Sequence, residues 1–321
     1  MIDTHYKSQA GMIINSHNEY DTLKSVIVGT AQNANWPEHC PDFRKQEKTT
    51  RWKKTPLPSG RVDAGTVYEA EQDLDTLASI LQNFDVKVYR PDYYDYTETD
   101  GFYGYCPRDR LLIIGDMVIV PNMAYRCRDQ EIETYSFIPN KHRMTVDDPD
   151  ARFDAANILR HNKDIFYLYG DTANYEGVRW LSNRLTPLDY KIHILKDLPG
   201  VTHIDSTISI LNDHTVIFNG SRVNKNNMPK YFKDWNCIFL KDSDITAIDF
   251  LDYPYASKWI GMNCLSIDPK TVIVDQHQKR LISKLEKQNF EVIPMELRHA
   301  RTLGGGFHCV TLDLERTNGH R

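Results

Sequence analysis

One composite pattern returns roughly every fifty residues along this chain and limits what it can become: two short apolar runs around a tight turn, often a helical stretch, then a third apolar run. The runs 111–114 and 117–120 flank Gly115-Asp116, a two-residue hairpin signal. The runs 158–160 and 165–169 flank 161–164 in the same way, after which 172–185 reads as a helix and 190–195 as a strand. A third hairpin spans 207–211 and 215–218 around Asn212-Asp213. A fourth spans 263–267 and 271–274, followed by a helix at about 277–288 and a strand at 290–294. Nearer the start, 66–81 places apolar residues at 67, 70, 74, 77, 78 and 81, which is one face of a helix. It lies between strands at 23–28 and 86–89, in a module short of one hairpin strand. Near the other end, 307–312 is a strand without a helix. Joining the two completes a fifth unit and closes a ring. The expected fold class is α/β: a five-bladed pseudo-symmetric α/β propeller of repeated hairpin-helix-strand (ββαβ) modules. No linker divides residues 1–321, so a single domain is expected, with the polar stretch 33–65 as a surface loop or lid and 317–321 as a flexible tail.

Composition removes several classes of function. Net charge is −5, so no basic field is offered to nucleic acid or to an anionic membrane. The longest apolar runs are strand-sized, too short to span a bilayer. The first twenty residues show neither a charged head before an apolar core nor an arginine-rich amphipathic pattern, and a cytoplasmic location is expected. Six cysteines, at 40, 106, 127, 237, 264 and 309, have no C-x-x-C or metal-finger spacing and read as reduced, mostly buried thiols.

Just before the first strand of each hairpin stand Asp109, Asp154, His203 with Asp205, Ser257 and Cys309, at intervals of 45 to 54 residues. Equivalent positions in a propeller surround its axis, so these groups are expected to converge on one pocket. Turn chemistry alone accounts for aspartates and a serine at strand entries, but not for His203 or Cys309. His203 and Asp205, two apart, share a face if the strand includes them. A histidine beside a carboxylate gains a raised pKa and acid–base capacity near neutrality. Cys309 closes the run Gly304-Gly305-Gly306-Phe307-His308-Cys309. Three glycines let a substrate or another loop approach the backbone and leave the thiol unobstructed. Alternation along a strand sends His308 to the face opposite Cys309, which gives His308 a structural role, packed away from the pocket. Cys309 itself reads either as a nucleophile or as a buried structural thiol.

Carboxylates around a thiol suit a cation, and planar pairs of them match the forked donors of a guanidinium. A metal fits less well, because hard-ion sites seldom include one thiol and one imidazole without a second soft ligand. Guanidinium chemistry also gives the thiol a purpose. Carboxylates fix the poorly electrophilic carbon in line with a thiolate, while a protonated histidine hands a proton to the departing amine.

The stretches YDTLKSVIVG, CPRDRLLIIGDMVIVPNMAYRCR, FDAANILRHNKDIF, HIDSTISIL, SKWIGMNCL and LGGGFHCVTLDLER together resemble the amidinotransferase family, and within it the arginine:glycine enzymes, from about residue 15 to 316. The resemblance implies a five-bladed α/β propeller. It implies Cys309 as the nucleophile that takes the amidino group of arginine, His203 as general acid and base, and Asp154 as the partner of His203 that also grips the guanidinium. Asp109 and Asp205 match the other guanidinium-binding acids. Arg222, in FNGSR, matches the arginine that holds the donor carboxylate, where it would otherwise read as a solvated loop residue. Tyr103 and Ser257 match substrate-contact positions. The implied reaction is ping-pong: arginine gives ornithine and an amidino-cysteine, and a primary amine, glycine first among candidates, leaves as its guanidino product, guanidinoacetate. No cofactor and no metal is implied. The partners are small molecules, with no nucleic acid and no membrane, and a homodimer is compatible with the reading.

The chain departs from animal members of that family in three respects. No mitochondrial presequence is expected, the chain is some forty residues shorter between Asp109 and Asp154, and it has Gly200 and Thr202 where vertebrate members carry Asn and Met. Smaller side chains there admit a larger acceptor, which puts glycine in doubt. Two rivals share the same site: a hydrolase of the arginine deiminase or dimethylarginine hydrolase type, with water as acceptor, and a silent binding protein for arginine. Motif similarity beyond the catalytic groups favours transfer, and a pure binder has no need of a nucleophile.

Overall fold

The computed structural model describes residues 11–49, 57–198, 202–248 and 254–317. Among them, five three-stranded sheets share one plan. In each, an antiparallel pair is followed by a third strand that joins the middle strand in parallel. The second sheet is Leu112–Ile114, Met117–Val120 and Arg143–Thr145. The third is Ile158–His161, Asp164–Leu168 and Lys191–Leu195. The fourth is Ile208–Ile210, Thr215–Asn219 and Asn236–Leu240. The fifth is Leu265–Ser266, Thr271–Asp275 and Glu291–Met295. The first sheet is assembled from both ends of the described chain. Its middle strand, Thr22–Val28, pairs antiparallel with Thr311–Thr317 and parallel with Lys87–Tyr89.

A parallel return needs a crossover of a dozen residues or more, and helices supply three of them: Ala64–Asn83, Tyr175–Leu185 and Lys279–Glu286. The first is capped by Asp63, whose carboxylate accepts from the N–H of Thr66, and it buries Leu74, Leu77 and Leu81 in the cluster that also holds Leu23, Val26 and Val28. Each such leucine contributes about 2 kcal/mol of apolar burial. The second and fourth sheets use 3-10 segments instead, Arg126–Tyr135 and Lys230–Phe232. No helix among the described residues is long and apolar enough to cross a membrane.

Two expectations need correction. The stretch 33–65 is more structured than a surface loop. Its described part holds the helix Pro41–Thr49 and a two-stranded ribbon of Asn35–Trp36 with Gly60–Arg61. Trp36 and Phe43 are buried against Phe102 and Tyr255, so aromatic packing draws this segment into the core. The strand expected at 307–312 begins only at Thr311. The side-chain oxygen of Asn263 accepts the N–H groups of both His308 and Cys309 (2.9 and 3.0 Å), which removes them from any ladder. The N–H of Val310 turns back to the carbonyl of Gly306. The tail expected beyond Thr317 lies outside the described residues.

The turns that lead into the first strands meet one another. Pro107–Arg110 touches Ala155–Asn157, which touches Ile204–Ser206, which touches Lys258–Met262. Pro107–Arg110 also touches Thr311–Thr317. The site is built on these turns.

Candidate active site

Proline suits the first position of Pro107–Arg110, the turn that carries the buried Asp109. Asp154 stands before Ala155–Asn157, with its N–H held by the side-chain oxygen of Asn157 (3.2 Å) and the carbonyl of Thr172 (3.1 Å). His203 precedes Ile204–Ser206. The Thr202 carbonyl beside it accepts from Asn157 Nδ2 and from the Thr172 hydroxyl, so the turn carrying Asp154 also fixes the backbone of His203.

The imidazole of His203 lies between two acids. Its Nε2 is 3.0 Å from Asp154 Oδ2, and its Nδ1 is 3.6 Å from Asp109 Oδ1. The other Asp154 oxygen accepts the N–H of Ala124 (3.0 Å). Asp109 Oδ2 accepts from Arg128 (2.8 Å), which is itself gripped at two points by Glu131. Asp109 Oδ1 is buried with no hydrogen-bond partner among the described residues. Its charged neighbour there is His203 Nδ1 at ion-pair distance, which leaves hydrogen-bonding capacity for a further donor. Burial opposes the imidazolium of His203, but Asp109, Asp154 and Asp205 outweigh it and hold the pKa at about 9. The ring is therefore protonated at neutral pH.

Cys309 is 2% exposed, and its Sγ lies 3.1 Å from Asp205 Oδ2. The Cys106 thiol beside it, burial, and the Asp205 charge together push the Cys309 thiol well above its ordinary pKa. Burial pushes the Asp205 carboxyl up as well, yet contacts with His308, His203 and the thiol bring it down to about 2. A methyl on Gly305 would stand 2.5 Å from Cys106 Sγ, and one on Gly306 would stand 2.6 Å from the Asn263 Cβ. Gly304 adopts φ +82°, a conformation that side chains disfavour. Neighbouring side chains, rather than open space, take the room these glycines leave.

His308 does not pack away from the pocket. Its Nδ1 lies 3.0 Å from the same Asp205 oxygen that meets the thiol, and its Nε2 lies 3.1 Å from Glu19 Oε2. Strand alternation does not apply, because the backbone there is a turn. Arg222 stands beside the Asp205 turn and donates to the Ser206 carbonyl and hydroxyl and the Thr207 hydroxyl (2.8–3.3 Å). All three partners are neutral, and burial alone pulls its pKa down to about 10. A desolvated guanidinium of this kind suits an incoming carboxylate. Tyr103 is buried 5.3 Å from the Arg128 guanidinium and donates to Cys106 Sγ (3.4 Å). Ser257 sits at the head of Lys258–Met262 and makes no side-chain hydrogen bond to another described residue. Thr202 is exposed beside His203, and Gly200 lies outside the described residues.

Sequence reasoning missed Arg128, Glu131, Asn263 and Cys106. It also missed a buried ionic hub beneath the site, in which Glu19 and Asp313 are bridged by Arg108 and Arg160, with Arg316 on Asp313. The legible signal was a charge inside an apolar strand: Arg160 in ILRH and Asp313 in TLDLERT.

No protein-family model matches the sequence. Inosamine-phosphate amidinotransferase 1 of Streptomyces griseus is 37% identical over 351 residues, spanning 95% of this chain and 97% of that protein. This chain belongs to the amidinotransferase family. The mitochondrial glycine amidinotransferase of Xenopus tropicalis is 28% identical over 94% of this chain and 82% of its own length. Among solved structures, the inosamine-phosphate amidinotransferase of S. griseus superposes with a TM-score of 0.86 at 35% identity, covering 96% of this chain and 98% of that one. DDAH from Pseudomonas aeruginosa superposes with a TM-score of 0.65 at 15% identity, over 91% and 99%, a likeness of fold. In this amidinotransferase the histidine, the three acids and the thiol lie on turns that touch in succession.

Proposed function

We propose that this amidinotransferase moves the amidino group of L-arginine to a primary amine through an amidino-cysteine on Cys309, and that its five sheets are the blades of an α/β propeller around the site. The observation that carries the reading is the pairing of a buried thiol on Asp205 with an imidazolium held between Asp109 and Asp154. A guanidinium entering here meets the Asp109 oxygen that accepts no hydrogen bond among the described residues and the carboxylates of Asp154 and Asp205, while Arg222 receives the amino-acid carboxylate. The positive charge of the donor offsets the acids that disfavour the thiolate, so substrate entry itself lowers the thiol pKa.

The thiolate then attacks the guanidino carbon. His203 gives its proton to the departing amine as the C–N bond breaks, which releases ornithine and leaves the amidino group on sulfur. The neutral imidazole takes a proton from the acceptor amine, whose attack on the amidino carbon breaks the C–S bond and returns the thiolate. The proton that Cys309 loses on first donor entry leaves by way of Asp205 Oδ2, 3.1 Å away, to solvent; each later turnover starts and ends with the thiolate, and His203 gives and regains the one proton moved.

For the acceptor, the motifs point to glycine, whereas the higher identity to enzymes of inosamine phosphates supports a larger amine. The exposed, short Thr202 beside His203 also supports the larger one. We place an amine of inosamine-phosphate size ahead of glycine. The test is a product assay with guanidino-labelled arginine and a panel containing glycine and an inosamine phosphate. Ornithine with a labelled guanidino product supports transfer, and the relative rates rank the acceptors. Citrulline or ammonia without such a product would make the protein a hydrolase.

A further inference from the structure

Asp205 Oδ2 is shared by two donors, the Cys309 thiol at 3.1 Å and His308 Nδ1 at 3.0 Å. The opposite nitrogen of the same ring, Nε2, ends on Glu19 Oε2 at 3.1 Å. Each nitrogen of the ring thus faces a carboxylate oxygen. Glu19 is in turn held by four further hydrogen bonds. Arg160 holds it through Nε (2.9 Å) and Nη2 (2.9 Å), Arg108 holds it through Nη1 (3.2 Å), and the Arg160 N–H adds a fourth bond (3.1 Å). All of these groups are buried. The backbone under His308 is tied as well, since Arg108 Nε donates to the His308 carbonyl (2.8 Å) and to that of Thr311 (2.9 Å).

We propose that His308 is a positioning residue for donor binding: braced by Glu19 on the ionic hub, it fixes the Asp205 carboxylate in the one orientation that serves both the Cys309 thiol and an incoming guanidinium. The inference rests on the arginine-donor reading above, but it assigns a role to a ring that touches neither substrate nor the reacting sulfur. Without the brace, Asp205 is free to rotate about its χ2 and to close on the thiol or on His203, the two other groups that stabilise its charge. The whole effect of His308 therefore passes through Asp205.

A double-mutant cycle separates this role from a structural one. Arginine affinity is measured by calorimetry in a Cys309→Ala background, which cannot turn over, with His308→Leu and Asp205→Asn singly and together, each checked by thermal melting. His308→Leu is expected to weaken arginine binding roughly 10- to 100-fold, and to add no more than about threefold once Asp205 is already Asn. His308→Asn keeps an amide donor toward Asp205 and should stay within about tenfold of the parent. It also supplies the test if the leucine variant does not fold. Weakening in the combined variant equal to the product of the single effects, or an Asn variant as weak as Leu, would overturn the proposal. If the parent binds no arginine, the donor assignment is refuted, and the same cycle is read on the rate at which iodoacetamide alkylates Cys309 in the protein that retains its thiol. Non-additive rates there still support the brace, and additive rates sink it.

Discussion

Asp154→Asn is the most informative single change. The carboxylate has divided duties: Oδ1 accepts the Ala124 N–H at 3.0 Å, and Oδ2 faces His203 Nε2 at 3.0 Å. An asparagine keeps the first contact by placing its oxygen there, and so turns an NH2 toward the imidazole. Nε2 must then accept, which selects the neutral ring protonated on Nδ1. The native pKa of about 9 against an ordinary 6.5 corresponds, at roughly 1.4 kcal/mol per unit, to about 3 kcal/mol of stability. The His203 side chain is only 17% exposed, so screening discounts this little. The pKa is raised in the folded state, so the contribution is complete below the unfolded value of 6.5 and is lost as pH rises through about 9. Removing Asp154, one of three acids on the ring, should lower the pKa by at least about one unit. It should cost about 1.4 kcal/mol or more at pH 6 and much less at pH 9.5. A one-unit drop leaves the ring mostly protonated at pH 7, so ornithine release should slow in step with the protonated fraction, little at pH 7 and about eightfold at pH 9.5. Titration of the ring by NMR, denaturant melts at the two pH values, and a single-turnover assay read the three effects. A His203 titration that does not move, or a stability loss equal at both pH values, refutes the argument that Asp154 sets the protonation state.

Cys309→Ala should abolish turnover yet retain arginine binding, since Asp109, Asp154, Asp205 and Arg222 remain; calorimetry beside the product assay reads both. Arg222→Met should raise the KM for arginine on the order of 100-fold, with less than about threefold change for agmatine, which lacks the carboxylate. An equal change for both substrates removes Arg222 from carboxylate binding. Gly306→Ala places a methyl 2.6 Å from the Asn263 Cβ and should destabilise by about 1–3 kcal/mol, read as a lowered Tm. It should also slow turnover, because Asn263 holds the N–H groups of His308 and Cys309.

Local patterns were legible because their causes are local. The hairpin at Gly115-Asp116 and the helix through 66–81 depend on turn residues and on one apolar face, and the observed Ala64–Asn83 extends the expected helix by two residues at each end. That Asp154, His203 and Cys309 would lie close together was legible for another reason, since repetition at regular spacing marks equivalent places. The turn at 307–310 was not legible, because its cause is Asn263, 45 residues earlier in the chain. Nor was the buried segment around Trp36 and Phe43, whose polar neighbours give no sign that Phe102 and Tyr255 await them.

Glu19 is the strongest case of a residue whose meaning lies in its partners. In sequence it is one acid in a polar stretch, and its ring partner His308 stands 289 residues away. Apolar replacement of such a hub is often neutral for stability, so its value here is not read from ion-pair energies. What the ions supply is position. On the one turn Pro107–Arg110, Asp109 reaches up to His203 while Arg108 reaches down to Glu19, Asp313 and the carbonyls under Cys309. A hydrophobic plug could fill the same volume but could not hold those carbonyls or brace His308. What the charges beneath the site supply is a fixed orientation for the acids above it.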